Sequence, residues 1–372
     1  MCISKKRSPP TPPPPPQPTC PTAQRSSVVM RKRRKSEKPE EPVEPLEPST
    51  QEQKEKRKQI EGFSERILSK GIMNLRTEFP CSHRGDPTNF DKMPSFQAAE
   101  KTGRNRYKDI GCVEETRVKL DEPWPHDYIH ANYVATPSNP KRFICTQAPL
   151  EKTCADFWFM CLQEKVEVIF MVCNISEKGW KKCYLYYPTE KEKEKPLEFM
   201  EGEKKVTVKL EETKKFKFKE KNTRNEIIES VFSVEGPDGS SLKITHYHFL
   251  YWLDRGIPAV DMAILEVLEV ARASKNPIVI QGSAGVGRSG SVIMIEYMMD
   301  QFLAGKDIEE SDKILVKIRE QRCKAVQTDL QYLFVHEVML NYFEKKRYMS
   351  AELKPGHEQF KRDYHKVCGS WH

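Results

Sequence analysis

Apolar positions are sparse before residue 59 and recur with clear periods after it. From Asp127 onward, apolar and polar residues alternate in short runs, the pattern of half-buried strands. Strands are expected over Tyr128 to Ala135, Arg142 to Thr146, Val166 to Asn174 and Cys183 to Tyr187. A helix over Phe157 to Glu164 falls between the second and third, with Asp156 as its cap. Thr189 to Lys205 reads as a polar connection rich in Lys and Glu. Further strands follow over Val206 to Leu210, Phe216 to Lys219, Asn225 to Val234 and Lys243 to Tyr251, the last two joined by a turn at Gly236 to Ser240. Spacing near 3.6 residues predicts helices over Met262 to Ala273, Ser289 to Ala304, Ser311 to Gln321 and Gln331 to Phe343. The β-branched run Ile278 to Ile280 predicts a buried strand just before the second of these. Ile60, Phe63, Ile67 and Leu68 share one face of a helix over Gln51 to Lys70, which opens the folded part. This order predicts an α/β class: one domain over residues 59–345, a twisted mixed sheet flanked by helices.

Composition changes the picture at the ends. The chain of 372 residues is 31% charged, with a formal net charge of +8. About seven of those charges fall in residues 1–58, a stretch with almost no aromatics. Such a stretch buries too little apolar surface to offset its ordering entropy and is expected to be disordered. Within it, Ser8 to Pro18 favours polyproline II and is a candidate SH3 or WW ligand, with a stiff spacer as the plainer alternative. Arg31 to Lys35 (RKRRK) reads either as a nuclear-import cluster or as solvated charge, and no specific nucleic-acid partner is implied. Residues 346–372 read as a basic C-terminal tail.

Mean hydropathy is -0.70. No apolar run approaches the roughly 18 to 20 residues that span a bilayer. The eleven cysteines stand singly, with no C-x-x-C pair, so neither a zinc site nor a disulfide framework is expected. A reducing, cytoplasmic setting follows, extended to the nucleus if RKRRK acts as an import signal.

Candidate chemistry concentrates between the buried strand and its helix, in PIVIQGSAGVGRSGSVIMIEY, Pro277 to Tyr297. Glycines at 282, 285 and 287 let a tight loop turn successive N–H groups toward one point at a helix N-terminus, an anion cradle. Arg288 adds a planar fork for phosphate and Ser289 a hydroxyl. A plain strand-to-helix turn is the structural alternative. Two phosphate loops fit the letters. GSAGVGRS has the G-x-x-x-x-G spacing of the Walker A loop, with Arg-Ser in place of Lys-Ser or Lys-Thr. SAGVGRSG matches the signature loop of another family along its whole length.

That second family is the protein-tyrosine phosphatases, and the chain resembles a non-receptor member along residues 60 to 345. ITHYHFLYWLDRGIP (Ile244 to Pro258) resembles the family's mobile acid loop, with Leu253 replacing its first proline. NRYKDI (Asn105 to Ile110) resembles the loop that grips phosphotyrosine, and DYIHANYV (Asp127 to Val134) and TQAPLEKTCADFW (Thr146 to Trp158) resemble two further motifs. QTDLQYLF (Gln327 to Phe334) resembles the glutamine loop. The ordered set favours this family over a nucleotide-binding loop.

The resemblance implies roles. Ser283, Ala284, Gly285, Val286, Gly287 and Arg288 would hold the phosphoryl oxygens. Asp254 would be the acid, Gln327 the water-positioning residue, and Ser289 the hydroxyl that steadies a leaving thiolate. Tyr107, Asp109 and Gln331 would contact the phosphotyrosine ring and its peptide backbone. The nucleophile's place is taken by Gly282, and the preceding histidine's by Gln281. A glycine donates no attacking atom. The expectation is a pseudophosphatase that binds tyrosine-phosphorylated protein segments, with no cofactor or metal. Two alternatives stay open: an active phosphatase with a substitute nucleophile, and a scaffold with a vestigial pocket.

Overall fold

The computed structural model describes residues 48, 50–81, 90–193 and 195–369. The Pro-rich stretch at 8–18 and the basic cluster at 31–35 lie outside the described residues. Within them the chain runs α1 (Gln51–Cys81), α2 (Pro94–Thr102), β1 (Arg117–Lys119), β2 (Tyr128–Thr136), β3 (Asn139–Gln147), α3 (Cys154–Gln163), β4 (Val168–Met171), β5 (Ser176–Glu177) and β6 (Trp180–Lys181). It continues through β7 (Leu197–Glu201), β8 (Lys204–Lys215), β9 (Ile227–Glu235), β10 (Ser241–Phe249), α4 (Ala263–Ala271), β11 (Ile278–Gly282), α5 (Gly287–Leu303), α6 (Ser311–Gln321), α7 (Asp329–Lys345) and α8 (Lys354–Cys368).

Nine strands form one mixed sheet in the order β1-β2-β3-β11-β4-β10-β9-β8-β7. Its centre, β3 to β10, pairs in parallel, and the strands on either flank pair antiparallel. β11 sits in that centre. Ile278 and Ile280 enter the core that includes Phe63, Met294 and Leu333 from α1, α5 and α7. Val279 enters the opposite core with Phe157 and Trp158 of α3. A strand covered on both faces reads as an unbroken apolar run, which is why Ile278 to Ile280 was legible. α5 is buried nearly all round, so the loop joining it to β11 is held at both ends by core. That loop lies at the carboxyl ends of the parallel strands, where open α/β sheets place their ligands.

Several expectations need correction. Residues 183–187 form no strand: Cys183 and Tyr186 are buried against α3, and Trp158 Nε1 donates to Tyr186 O (2.8 Å). Their alternation reflects burial on a helix, not a ladder. Residues 216–219 also leave the sheet, because the amides of Lys219 and Glu220 turn to the Glu266 carboxylate on α4 (2.6 and 3.0 Å). The polar connection holds a strand, β7, whose Glu and Met residues masked the exposed edge. α1 continues past Lys70 after bending at Gly71, where φ is 65°, and buries Ile72, Leu75 and Phe79 beyond the bend.

The expected C-terminal tail contains α8, which packs on α1 and α7 through Phe360, Tyr364 and Cys368. Buried His357 lies between Glu337 Oε2 (3.3 Å) and Glu344 Oε2 (3.1 Å). Burial alone would lower its pKa, but the two carboxylates outweigh burial and raise it.

Candidate functional site

The loop from Gly282 to Arg288 is shaped by bonds to its carbonyls. Ser283 O accepts from Ala148 N (3.1 Å), and Val286 O accepts from Gly290 N (2.8 Å) and Val326 N (3.1 Å). Arg322, fully buried, donates from Nη2 to Ala284 O and from Nε to Gly285 O, both at 2.9 Å. Its Nη1 also reaches Asn132 Oδ1 (2.8 Å). With these carbonyls drawn outward, the intervening N–H groups face the hollow of the loop at the N-terminus of α5, an anion-binding arrangement. Only glycine serves at 285: φ is 65°, and a Cβ there would lie 2.2 Å from Thr146 O.

Arg288 is buried and divided between two tasks. Nη1 donates to Glu177 Oε1 and to Trp252 O, each at 2.6 Å. Nη2 is buried with no hydrogen-bond partner, and Asp254 Oδ1 lies 3.7 Å away. One edge of the guanidinium is thus fixed by structure, and the other faces the cavity lined by the loop, Asp254 and Gln327.

Asp254 also accepts from Lys182 Nζ (2.7 Å). Burial alone would raise its pKa, but the Lys182 bond and the Arg288 charge more than offset this and hold the carboxyl below its ordinary value. A carboxylate held ionised is poorly suited to protonate a leaving group at neutral pH. With residues 252–256 in this position the cavity measures ≈ 10 Å³, room for about one water-sized molecule. A phosphoryl group needs more room than this, so a lining residue must move for one to enter.

The floor beneath the loop is a different matter. A Cβ at Gly282 would meet Ser289 Oγ at 2.7 Å and Val172 Cγ2 at 3.4 Å. Ser289 Oγ, buried near the Cys145 thiol, therefore occupies the space a side chain at 282 would fill. Gln281 turns away from the cavity: its Nε2 donates to Cys173 Sγ (3.2 Å) and its Oε1 accepts from Tyr186 OH (3.3 Å).

These features coincide with a family match. The chain fits the model of the protein-tyrosine phosphatase family over residues 101–341. It belongs to that family. The rat receptor-type tyrosine-protein phosphatase zeta is 35% identical over 246 residues, 64% of this chain and 10% of that protein. The human tyrosine-protein phosphatase non-receptor type 12 is 32% identical over 255 residues, 66% of this chain and 31% of that protein. This chain thus spans a minor part of each relative's length. A solved structure described as the basis of the PTPN18 fingerprint on distinct HER2 tyrosine phosphorylation sites superposes with a TM-score of 0.64 at 27% identity, covering 77% of this chain and 99% of that one.

Within this protein-tyrosine phosphatase domain, the other expected positions fall as follows. Tyr107 borders the loop, its OH 2.9 Å from Ser283 Oγ, and Arg106 anchors its segment through Ala148 O and Pro149 O. Asp109 is 77% exposed, with Lys324 Nζ 3.7 Å from Oδ2 and bonded to Asp109 O. Gln327 lines the cavity. Gln331 does not reach the mouth: it is fully buried behind Gly287 and accepts from Gln327 N (2.9 Å). In this position it braces the glutamine loop.

Sequence reasoning missed Glu177, Lys182 and Arg322, three charged residues that no local pattern marks. Among the described residues, His126, Asp156 and Glu201 bring three donor atoms within 4.8 Å. Arg104 already bridges the two carboxylates (2.5 Å to each), so their charge is spent on an ion pair. No described helix is long and apolar enough to cross a membrane.

Proposed function

We propose that this protein-tyrosine phosphatase domain binds phosphotyrosine-containing protein segments without hydrolysing them. The observation that carries the reading is the buried Nη2 of Arg288, which makes no hydrogen bond and faces a phosphate-shaped loop whose floor, at Gly282, offers no attacking atom. The HER2 tyrosine phosphorylation sites named for the solved relative support the ligand class. A phosphate dianion here would be bonded by Arg288 Nη2 and the amides of residues 283–288. Tyr107 would lie against the ring, and Asp109 would be free to accept from the peptide backbone once Lys324 yields it.

Losing the nucleophile does not weaken such binding. A thiolate under a dianion costs on the order of 4 kcal/mol per pair of unit charges at 4 Å and an effective dielectric near 20. Hydrolysis is another matter, since no carboxylate or imidazole is hydrogen-bonded to Ser289 Oγ to take its proton, and Lys182 and Arg288 hold the Asp254 carboxyl below its ordinary value. Both work against a substitute nucleophile. The eight free described cysteines accord with a reducing compartment, the cytoplasm or nucleus.

Titration calorimetry of a phosphotyrosine peptide and its unphosphorylated twin tests the reading. Removing Arg288 alone would strand the Glu177 charge in the core, a loss of about 3 to 5 kcal/mol. The comparison therefore uses Arg288→Met/Glu177→Gln, with a melting curve to establish folding. Charge-assisted bonds contribute roughly 1.5 to 3 kcal/mol each, so the double variant should bind the phosphopeptide at least about tenfold more weakly. Equal affinities for both peptides in both proteins would leave only a scaffold with a vestigial pocket.

A further inference from the structure

Two cysteines stand at the base of the hairpin that fastens the pocket. β5 and β6 pair Ser176 with Lys181 and Glu177 with Trp180. The hairpin holds the pocket through Glu177, bonded to Arg288 (2.6 Å), and through Lys182, bonded to Asp254 (2.7 Å). Cys173 leads into it from β4, and Cys183 ends it. Ile175 O accepts from Lys182 N (2.9 Å) and from Cys183 N (3.2 Å), so the two backbone ends lie side by side. His248 Nε2 donates to Cys173 O (3.0 Å), which anchors the other end.

The side chains meet as well. Gln281 Nε2 lies 3.2 Å from Cys173 Sγ and 3.9 Å from Cys183 Sγ, and the two thiols interact directly. Both are fully buried and free, and neither lines the phosphate cavity. Their surroundings act in opposite directions. Burial alone would raise the Cys173 pKa, but the bond from Cys183, the Arg288 charge and the Gln281 bond outweigh burial and lower it. Burial, and after it Cys173, push the Cys183 pKa well up. Cys183 Sγ keeps Tyr184 O within 3.1 Å as an acceptor for its proton. In a touching pair, one thiol thus favours the thiolate and the other the thiol, the division between an attacking and a resolving cysteine.

We infer that Cys173 and Cys183 are a modification site, which hydrogen peroxide converts to a reversible disulfide closing the hairpin that carries both pocket clamps. The Cys173 sulfur attacks one peroxide oxygen; the S–O bond forms as the O–O bond breaks, and the hydroxide released recovers the thiol's proton and leaves as water. The Cys183 sulfur then attacks the sulfur of the sulfenic acid at Cys173. The S–S bond forms, the S–O bond breaks, and the departing hydroxide takes the Cys183 proton as a second water. Two thiols are oxidised and one peroxide is reduced. Burial shields the pair from bulky thiol reagents, whereas peroxide, scarcely larger than water, gains it through local opening of the hairpin. A dithiol reductant reverses the step, in keeping with a reducing compartment, where disulfides are transient. The oxidation is independent of phosphotyrosine binding.

The test treats the full chain with a few equivalents of hydrogen peroxide, blocks the remaining thiols in denaturant with iodoacetamide, and maps tryptic peptides without reductant. Cleavage after Lys178 and Lys182 separates the two cysteines, so the bridge appears as residues 166–178 joined to the peptide beginning at Cys183. Dithiothreitol should part them. The oxidised chain should melt about 4 °C above the reduced one, because the bridge restricts the unfolded chain. Cys183→Ser, with a melting curve of its reduced form to establish folding, should lose both the joined peptide and the shift, and should leave a dimedone-reactive sulfenic acid at Cys173. Cys183 joined instead to Cys154 or another cysteine, or both thiols recovered alkylated after peroxide, overturns the site. A bridge that leaves the melting temperature of the wild-type chain unchanged overturns its part in fastening the hairpin.

Discussion

The wall of the pocket, built from Arg288, the loop amides and Tyr107, and its floor, built from Gln281, Gly282 and Ser289, differ in what holds them. The wall is over-determined: Arg288 is fixed by Glu177 and Trp252 O, the loop carbonyls by Arg322, Ala148 and Val326, and Tyr107 by Ser283. The floor, at Gly282, offers no side-chain atom. Ser289 Oγ stands in the vacated side-chain space, and Gln281 bonds Cys173 and Tyr186 behind the strand. On the proposed reading, the difference teaches that gripping a phosphate and cleaving its ester would rest on separate residues of one loop, so that the first persists without the second.

The largest expected effect comes from rebuilding the floor. In Gln281→His/Gly282→Cys, the new Cβ at 282 comes within 3 Å of one atom, Ser289 Oγ, which can rotate aside. Nucleophile loss costs on the order of a million-fold in a well-studied protease. The double variant should therefore release phosphate from a phosphotyrosine peptide at least about a thousandfold faster than wild type, in a vanadate-sensitive assay. A variant that folds and still shows no turnover would mean that the wall is impaired as well, with Leu253 and the ionised Asp254 the first suspects.

Next comes an attack on the wall. Arg322→Met strips donors from Ala284 O, Gly285 O and Asn132 Oδ1, at about 1 to 3 kcal/mol for each buried acceptor. Thermal unfolding should shift down by roughly 10 °C, and phosphopeptide binding should fall with it. An unchanged melting temperature would show that the loop holds its shape without the clamp.

A smaller effect, of opposite sign, is expected at Asp254. Its carboxylate, 3.7 Å from Arg288 Nη2, competes with phosphate for the free edge of the guanidinium. Partial exposure screens that attraction, so Asp254→Asn should tighten phosphopeptide binding by only about fivefold, read by calorimetry. Weaker binding would show that Asp254 helps to hold the ligand.

The smallest effect lies far from the pocket. The folded pKa of His357 is raised by Glu337 and Glu344 against burial. Its contribution to stability is therefore fully present below the unfolded value and lost as pH rises through the folded one. Glu344, whose bonds to His357 and then Lys361 outweigh burial, is lowered to about 2. Its contribution is present above its unfolded value and lost only as pH falls toward about 2. The melting-temperature gap between wild type and His357→Gln should shrink from pH 6 to pH 9. A gap that grows over that range would contradict the charge assignment.

Local strings made the loop and the buried strand readable, because glycines, Arg-Ser and a β-branched run carry their meaning within a few residues. The residues that shape the loop were not readable. Glu177 stands 111 positions from Arg288, and Arg322 stands 37 from Gly285, in stretches where a Glu or Arg looks like ordinary surface charge. The same limit explains residues 183–187, whose alternation marks burial on α3, and β7, whose edge position tolerates the charges that concealed it. α8 was passed over because its apolar face, Phe360, Tyr364 and Cys368, is thin among lysines and arginines.

The most direct measurement of the central claim is phosphorus NMR of the intact chain mixed with one equivalent of a phosphotyrosine peptide. The account predicts a shifted or broadened ester resonance that returns on addition of excess competing phosphopeptide, with no inorganic phosphate signal after many hours. A growing inorganic phosphate signal that survives further purification, or an ester resonance the protein never perturbs, would contradict it.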